Sequence, residues 1–324
     1  MNNPILIGLA GLGRAGLGMH AAELKGKEAQ FKFVAAGDPL KSCRDKMEQE
    51  YGCRTYERFE ELIADPEVEL VDIATRSSDH FAQGIMALEA GKHVLIEKPL
   101  CLTYDEALRL REASGKFGGE LFVRHNRRFD PDFLHVKEII ASGLLGDVFE
   151  IKLYRHSFQW RDDWQTMIAY GGGQLLNWGP HIIDHALQLL DSPIQSLWSD
   201  LQRLASAGDA EDHIKIVLKG RNGRIVDVEI SGSVALPSPS YAVYGSNGAL
   251  TVQGDSIQMK VLDPASDNRQ WQERTIPIRP TQQYDFWDEL YASIRYGAVF
   301  PIKIDEAVEV MRVITEAKKG TVFA

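Results

Sequence analysis

Short apolar runs alternate with helical patterns through the first third of the chain. The runs that predict buried strands cover residues 5–10, 31–36, 70–74, 93–96 and 120–123. Apolar positions at helical spacing occur at 79–90 and 104–116, and Gly91 is an end signal for the first of these helices. Because parallel strands need helical crossovers, the alternation predicts a parallel sheet covered by helices on both faces.

The pattern changes after about residue 124. The predicted elements are then a helix at 132–142, a strand at 148–158, a helix at 180–190, repeated strands from 194 to about 274, and helices near 284–296 and 305–318. Turn signals at 221–223 and 246–248 divide the repeated strands. This order predicts a mostly antiparallel sheet with one face open to solvent or to a second copy of the chain.

The first strand runs directly into Gly11, Gly13 and Gly16, at the spacing G-x-G-x-x-G. In a strand-to-helix turn the first glycine permits the tight turn, the second lets a diphosphate approach, and the third lets helix and strand pack closely. Arg14 and Ala15 complete the turn, whose N–H groups at a helix N-terminus can hold phosphates. We expect these five residues to bind a dinucleotide. A βαβ turn without a ligand is the alternative.

The second predicted strand ends at Gly37 and Asp38, about 20 residues beyond the last glycine of the turn. A carboxylate at this place accepts hydrogen bonds from the ribose hydroxyls of NAD and repels the 2′-phosphate of NADP. Lys41 and Arg44 lie close by in the sequence and soften that preference. The expected cofactor is therefore NAD, with NADP as the second possibility.

Together these patterns predict an α/β chain of two domains. Residues 1–123 are expected to form an NAD(P)-binding Rossmann domain with a parallel sheet. Residues 124–324 are expected to form an α+β domain with an open-faced, mostly antiparallel sheet that binds substrate and forms oligomers. The last helix is expected to pack back on the first domain. A length of 324 residues agrees with two domains, because it exceeds the usual span of one core.

Charge and cysteine content narrow the possible partners. The formal net charge is −10 and no basic run occurs, which argues against a nucleic-acid surface. No apolar segment approaches the ~18 residues of a membrane span, and the first residues lack the pattern of a secretory signal. Three cysteines without a CxxC spacing are typical of reduced thiols. The sequence therefore predicts a cytoplasmic protein whose partner is a small molecule.

Polar residues stand at the ends of two further strands, where ligands of parallel sheets bind. Lys98, which precedes Pro99, can donate to a substrate oxygen and stabilise negative charge there. An exposed lysine at a strand end is the alternative. The residues expected to line the cofactor here are Thr75, Arg76, His80, Glu97 and Lys98. For His80 a structural or helix-capping role also stays open.

A glycine-rich run at 171–184 contains another dense group of polar side chains. Pro180 suits the first turn of a helix, where the helix dipole favours the neutral, base-competent form of His181. Asn177 and His181 are expected to converge on one pocket, and Asp184 lies near the same helical face. We expect these three to be catalytic, with a buried structural histidine as the alternative. No metal site is expected, because no cysteine and a single acid accompany the two histidines of this helix.

Two segments and one further residue carry side chains suited to a sugar. Tryptophan faces can stack on the apolar side of a pyranose, while arginine and amide groups bind its hydroxyls. The residues expected to bind substrate are Asn126, Arg127, Trp160, Arg161, Trp164 and Tyr284. For the segments 125–128 and 160–164, the alternative is that the charged residues form surface ion pairs and the tryptophans lie in the core.

Four segments resemble the glucose–fructose oxidoreductase / inositol dehydrogenase / rhizopine catabolism (Gfo/Idh/MocA) family: the glycine turn, Glu-Lys-Pro at 97–99, RHNRRFDP at 124–131 and GGGxxxNxGxHxxD at 171–184. The helix after Tyr284 is also similar, so the resemblance covers essentially the whole chain. It implies a Rossmann domain, an open-faced sheet domain, homodimers or homotetramers formed through that sheet, and hydride transfer between a nicotinamide cofactor and a sugar or cyclitol. It also implies that Lys98 is the catalytic-site lysine, that the Lys98–Pro99 peptide is cis, and that His181 is the general acid/base.

One position departs from the family pattern, since many of its sugar dehydrogenases have Asp where this chain has Asn177. An amide cannot take a proton, so the proton-acceptor role falls on His181, helped by Asp184. Our hypothesis is a dehydrogenase for a secondary alcohol of a sugar, glycoside or cyclitol, in which Lys98 stabilises the alkoxide. Two alternatives stay open: an enzyme that cleaves glycosides by transient oxidation with tightly bound NAD, and a non-catalytic sensor of dinucleotide or sugar.

Overall fold

The computed structural model describes residues 3–263, 270–280 and 285–323. Its strands form a sheet of six strands and a sheet of eight. The strands are β1 (Ile5–Ala10), β2 (Phe31–Gly37), β3 (Arg54–Tyr56), β4 (Leu70–Ile73), β5 (His93–Glu97), β6 (Leu121–Arg124), β7 (Val148–His156), β8 (Ile194–Gln202), β9 (His213–Gly220), β10 (Ile225–Ser231), β11 (Tyr241–Gly245), β12 (Gly248–Gln253), β13 (Ser256–Leu262) and β14 (Trp271–Pro277). The parallel sheet and the second, mostly antiparallel sheet confirm the predicted fold class.

The α-helices are α1 (Lys41–Tyr51), α2 (Phe59–Ile63), α3 (His80–Glu89), α4 (Tyr104–Ala113), α5 (Pro131–Ala141), α6 (Gln174–Asn177), α7 (Gly179–Leu190), α8 (Phe286–Tyr296) and α9 (Ile304–Lys318). The sequence pattern predicts the longer helices other than α1. It misses α1 because Met47 is the buried residue of that helix, so no apolar stripe marks its inner face. Within the described ranges, no helix is both long and apolar enough to cross a membrane.

The chain divides into two compact units, Met1–His125 with Asp285–Arg312, and Asn126–Tyr284 with Val313–Ala324. The sequence pattern predicts one domain for 124–324, with its last helix packed back on the first domain. In the structure, α8 and α9 up to Arg312 belong to the first unit. The physical reason is aromatic packing. Trp287 of α8 is 2% exposed and packs edge to face against Phe31 and His20, with ring centroids 5.6 and 5.7 Å away.

The first unit contains the six-stranded sheet, in the order β3-β2-β1-β4-β5-β6. All its neighbouring strands are parallel. The chain builds outward from β1 in both directions, so the strand order reverses between β1 and β4. Ligands of such sheets bind outside the carboxyl ends of the strands at this reversal. The glycine turn, Asp38, Thr75 and Lys98 follow β1, β2, β4 and β5 at this edge.

The second unit contains the eight-stranded sheet, in the order β14-β13-β12-β11-β7-β10-β9-β8. The β7–β10 pair is parallel, and the other pairs are antiparallel. Helix α7 packs on β7 and β10, where Val226, Val228 and Ile230 are buried. The alternate positions of β10 lie on the opposite face, where Lys215 pairs with two carboxylates at 3.1 and 2.9 Å. One face of this sheet is therefore a core and the other is polar.

Candidate functional site

The glycine turn after β1 is shaped by close backbone contacts. Gly11 has a φ of +88°, and a Cβ there would lie 2.6 Å from the carbonyl oxygen of Ala74. A Cβ on Gly16 would collide with the carbonyl oxygen of Gly11. By contrast, no described atom lies within 4 Å of where a Cβ of Gly13 would stand, so that glycine borders open space. Two glycines thus make the turn possible, and the third leaves room for a group such as a diphosphate.

The turn continues into a helical segment that begins as a π-helix, Gly16–Ala21. The first N–H groups of a helix have no acceptor within it, and the dipole makes that end positive. Arg14 is exposed and Ala15 half-buried just before this segment. The open space at Gly13 therefore faces donors and positive potential, which fits the phosphates of a dinucleotide.

Asp38 is held at the end of β2 by backbone donors. Its two carboxylate oxygens accept hydrogen bonds from Leu12 N at 2.9 Å and Leu40 N at 2.8 Å. Because a carboxylate oxygen can accept more than one bond, both retain capacity for ribose hydroxyls. Arg44 donates to the carbonyl oxygen of Asp38 at 2.6 Å, and Lys41 pairs with Asp45 at 2.7 Å. The two cations near Asp38 are therefore held by groups other than its carboxylate.

The ends of β4 and β5 are joined by His80, the first residue of α3. Its Nδ1 lies 2.7 Å from the carbonyl oxygen of Pro99, and its Nε2 lies 3.3 Å from that of Thr75. The ring is 1% exposed, and this burial lowers the pKa of His80. These contacts support a structural role for His80, which the sequence leaves open beside cofactor binding. The Lys98–Pro99 peptide is cis, as the family resemblance implies, and Arg76 is exposed.

A buried ionic cluster lies beneath Lys98. His20 is fully buried, with Nδ1 2.8 Å from a carboxylate oxygen of Asp72 and Nε2 3.1 Å from Glu97 Oε2. Arg124, also buried, approaches the same Glu97 oxygen at 3.4 Å. The other oxygen of Glu97 lies 4.0 Å from Lys98 Nζ. Two cations therefore hold one side of the Glu97 carboxylate while its other side faces the Lys98 ammonium.

The cluster shifts the protonation of its members strongly. Burial alone lowers the pKa of His20, but the charge of Asp72 and the bonds to both carboxylates outweigh it and raise the pKa to about 9. Burial alone raises the pKa of Glu97, but the bond to His20 and the charges of Arg124 and Lys98 lower it to about 2. At neutral pH the histidine is therefore an imidazolium and Glu97 a carboxylate.

These shifts predict a pH dependence of stability. The folded-state pKa of His20 lies above its ordinary value of 6.5, so its contribution is complete below about pH 6.5 and is lost as the pH rises through about 9. The shift corresponds to about 3 kcal/mol. We expect Tm to fall between pH 7 and pH 10, and His20→Gln to remove most of that fall. Thermal unfolding followed by circular dichroism checks this, with His93→Gln as the matched control in the same sheet. Parallel curves for the wild type and His20→Gln would contradict it.

In the second unit, the glycine run positions a short helix and then α7. Gly173 has a φ of +103°, and a Cβ there would collide with the carboxylate of Glu211. That carboxylate accepts a hydrogen bond from Leu175 N at 3.0 Å, so it caps the start of α6. Burial raises the pKa of Glu211. Asn177 ends α6 and is half-buried, immediately before the first turn of α7.

His181 lies in the first turn of α7 with its side chain buried. Its backbone N–H donates to the carbonyl oxygen of Trp178 at 3.1 Å, and its ring meets the Trp178 ring edge to face at 6.0 Å. Pro180 occupies the turn just before it, as predicted from the sequence. The helix start, the proline and the tryptophan together fix where this imidazole stands.

Asp184 lies one turn further along α7 and forms a buried ion pair. Its carboxylate accepts two hydrogen bonds from Arg128, at 2.7 and 2.6 Å. Asp184 is 1% exposed and Arg128 8%. From its place in the sequence we expect Asp184 to assist His181 in proton transfer, whereas the structure shows its carboxylate bound in bidentate fashion to an arginine. This geometry supports a role in holding α7 against the segment before α5.

The residues expected to bind substrate occupy different places in the second unit. Arg127 stacks on Trp178 with 4.6 Å between its guanidinium carbon and the ring centroid, and it follows Asn126 in a short 3₁₀ helix. Trp160 is 69% exposed, and Arg161 bonds to Asp163 at 2.6 Å. Trp164 begins another 3₁₀ helix, joined to the glycine run by a bond from Gly173 N to Gln165 O at 2.9 Å. Tyr284 lies outside the described residues.

Sequence reasoning missed the buried cluster of the first unit. A signal for Asp72 was present, because an acid inside an otherwise apolar strand needs a cationic partner when buried. His20 and Arg124 carry no such signal, since each is surrounded in the sequence by residues that read as helix or as a polar run. His20 and its two carboxylate partners are 52 and 77 residues apart in the chain. Such pairs can be predicted only once the order of the strands in the sheet is known.

Comparisons with known proteins give a family match in each of the two units. Residues 5–125 match the model described as "Oxidoreductase family, NAD-binding Rossmann fold", and residues 133–251 match the "GFO/IDH/MocA C-terminal domain". The oxidoreductase YdgJ of Escherichia coli (strain K12) is 32% identical over 95% of this chain and 84% of its own length. The scyllo-inositol 2-dehydrogenase (NADP(+)) IolW of Bacillus subtilis (strain 168) is 26% identical over 98% of this chain and 94% of its own.

A solved structure shows the same fold. The Bacillus subtilis oxidoreductase yvaA covers 99% of this chain and 97% of its own, with a TM-score of 0.89 and 22% identity. The glycine turn and Asp38 supply the features that a dinucleotide needs, and the family match extends over both units. The chain therefore belongs to the Gfo/Idh/MocA oxidoreductase family and carries its NAD(P)-binding Rossmann domain.

Proposed function

We propose that the chain is an NAD(P)-dependent dehydrogenase that transfers a hydride between the cofactor and a secondary alcohol of a sugar or cyclitol. The observation that carries the proposal is the position of Lys98. Its ammonium stands at the same sheet edge as the glycine turn and Asp38, above a carboxylate that is itself held by two buried cations. The relative IolW, named as a scyllo-inositol 2-dehydrogenase, supports a polyol as the substrate class.

The proposed chemistry divides between two residues. His181 accepts the hydroxyl proton of the alcohol, and the carbinol carbon gives up its hydrogen with the bonding electron pair as a carbonyl forms. Lys98 donates a hydrogen bond to the same oxygen and stabilises its negative charge. Asn177 binds a substrate hydroxyl or orients His181, because an amide cannot take the proton. In the reverse direction the two residues return the proton and stabilise the alkoxide.

The cofactor fits the first unit on three features. The glycine turn and the helix that follows it would hold the diphosphate, and Asp38 would bind the adenosine ribose. Thr75, Arg76 and Glu97 stand at the strand ends of the same edge and would border the nicotinamide half. When bound, NAD(P) supplies the hydride acceptor for oxidation and the donor for reduction. We propose that NAD is preferred, because the Asp38 carboxylate repels a 2′-phosphate.

The test is a panel of sugars, cyclitols and glycosides incubated with NAD and with NADP, in which absorbance of the reduced nicotinamide is followed. We expect reduction with at least one polyol and a loss of about 10²- to 10⁴-fold in kcat for His181→Ala. His93→Gln provides the matched histidine control. Glycoside cleavage without net reduction would favour the redox-cycling alternative. Dinucleotide binding with neither reaction across the panel would contradict the proposal and favour a sensor.

We further propose that the polar face of the eight-stranded sheet joins copies of the chain. Trp198 is 57% exposed on edge strand β8 and pairs with Val217 of β9, which places both on that face. A dimer or tetramer would cover these apolar side chains. We expect Val217→Asp to lower the molar mass measured by light scattering after gel filtration, while Val217→Thr leaves it unchanged. Equal mass for the wild type and Val217→Asp would contradict this interface.

A further inference from the structure

Two arginines of the second unit pack against one tryptophan at the start of α7. The guanidinium carbon of Arg155 lies 4.1 Å from the centroid of the Trp178 ring, and that of Arg127 lies 4.6 Å from it. Arg155 ends the inward-facing row of β7, after Ile151 and Leu153, on the face that α7 covers. Stacking fixes the plane of a guanidinium and leaves N–H donors at its edge for a ligand.

The charges of the two arginines are compensated unequally. Arg127 pairs with Asp130 at 2.8 Å. Arg155 is half-buried, and in the part of the chain that the structure describes no carboxylate lies within ion-pair distance of it. The hydrogen bond from its Nη1 to the carbonyl oxygen of His156 is 3.5 Å long. Burial and then the charge of Arg127 lower the pKa of Arg155. A cation is thus held beside another cation with little to balance it.

The surroundings of this pair add to the positive potential. Trp178 is the N-cap residue of α7, whose twelve residues give that end a substantial dipole. His181, the neutral base of the proposed function, follows in the first turn, with its ring 6.0 Å from the Trp178 ring. The whole chain has a net charge of −10, so this local excess of positive charge runs against the overall balance. Such an arrangement is expected where a protein receives an anion.

We propose that Arg155, Arg127 and Trp178 form a subsite for an oxyanion group, a carboxylate or a phosphate, carried by the polyol substrate. The substrate class is then an acidic sugar or an acidic cyclitol. The link to catalysis rests on the proposed function, because it takes His181 as the residue that deprotonates the same molecule. Arg155 binds the oxyanion through its unused N–H donors, and Trp178 keeps the guanidinium plane fixed for a two-point contact.

A purely structural role for the arginine–tryptophan stack makes a different prediction. Cation–π contacts would then stabilise the start of α7 and have no effect on which ligands bind. The dependence of ligand binding on ligand charge therefore distinguishes the two roles. If Arg155 binds an oxyanion, a substitution there changes the preference for charged over neutral ligands. If Arg155 is only structural, the substitution changes thermal stability alone.

The experiment is isothermal titration of the full chain, with saturating NAD present, against D-glucuronate, D-glucose 6-phosphate, D-glucose and inorganic phosphate. We expect the two acidic sugars to bind about tenfold or more tightly than glucose, the order of one charge-assisted contact. The stronger of the two identifies the oxyanion as a carboxylate or a phosphate. Inorganic phosphate should compete with both, since it occupies the same subsite.

Four variants locate the effect. Arg155→Gln should reduce the ratio of acidic to neutral affinity about tenfold, and Arg155→Lys should retain part of it because the charge remains. Trp178→Leu removes the ring that orients the arginines and should also reduce the ratio. Arg221→Gln, at the exposed turn between β9 and β10, removes the same charge elsewhere and should leave the ratio unchanged.

Two results would overturn the subsite. One is equal affinity for charged and neutral probes, including no measurable binding of any of them while NAD still binds. The other is a charge preference that Arg155→Gln leaves intact. Reduction of NAD by a neutral polyol combined with either result would overturn the subsite alone and leave the dehydrogenase. Binding that depends on Arg155 without any reduction across acidic and neutral polyols would support the subsite and contradict the dehydrogenase.

Discussion

Replacing Lys98 by Met is expected to lower kcat for hydride transfer about a thousandfold. Removal of one donor that stabilises a developing oxyanion costs about 10²- to 10³-fold. Loss of the ammonium also leaves the Glu97 carboxylate facing the site, with its Oε1 no longer balanced by the charge 4.0 Å away. With the Lys98 charge gone, the negative charge on this side of Glu97 opposes alkoxide formation, so we expect the upper end of the range. Methionine keeps most of the side-chain volume, which limits any change in packing.

The measurement compares kcat with the dissociation constant for NAD in the same preparations. We expect Lys98→Met to bind NAD within about threefold of the wild type, because the diphosphate and ribose features lie in the glycine turn and at Asp38. Lys46→Met, on the exposed side of α1, is the matched control and should change neither quantity. A variant that loses NAD binding and kcat together would show that Lys98 holds the cofactor instead of stabilising the alkoxide.

The Rossmann unit could be predicted almost entirely from local patterns. Five of its six strands are short apolar runs that are mostly buried, so composition marks them within one residue of their ends. The short edge strand β3 is not buried and was not predicted, because no apolar run marks it. The spacing of the glycine turn is equally local: a Cβ at Gly16 would collide with Gly11 in the same turn, whereas the contact that excludes a Cβ at Gly11 comes from Ala74, just after β4. Pro180 and the position of His181 in α7 follow from a single residue's backbone preference.

Long-range pairing explains what the sequence did not predict. The cluster beneath Lys98 joins residues from four separate elements, so no spacing along the chain links His20 to Glu97. Helix α8 groups with the first unit because Trp287 fits beside His20 and Phe31, although its sequence only indicates an amphipathic helix. Helical spacing correctly predicted that Asp184 follows His181 by one turn on the same helix. It could not predict that Arg128 binds the Asp184 carboxylate.

Replacing Asp184 by Asn is expected to lower the free energy of unfolding of the second unit by about 3–5 kcal/mol. The substitution leaves the Arg128 guanidinium buried without its carboxylate, and breaking a buried ion pair at one partner carries a cost of that size. The paired variant Arg128→Met/Asp184→Leu removes both charges. It should recover most of the loss, because the penalty comes from the unpaired charge and not from the absence of the pair.

Urea unfolding followed by circular dichroism measures this, and kcat in the absence of urea gives the second readout. We expect Asp184→Asn to unfold at lower urea concentration, while its kcat per folded molecule and the pH dependence of kcat stay within a few-fold of the wild type. That outcome would assign Asp184 to the support of α7, one turn beyond His181. Unchanged unfolding with a shifted pH profile would instead give Asp184 a direct part in proton transfer at His181, because a carboxylate that acts on the imidazole alters its basicity without any need to stabilise the helix.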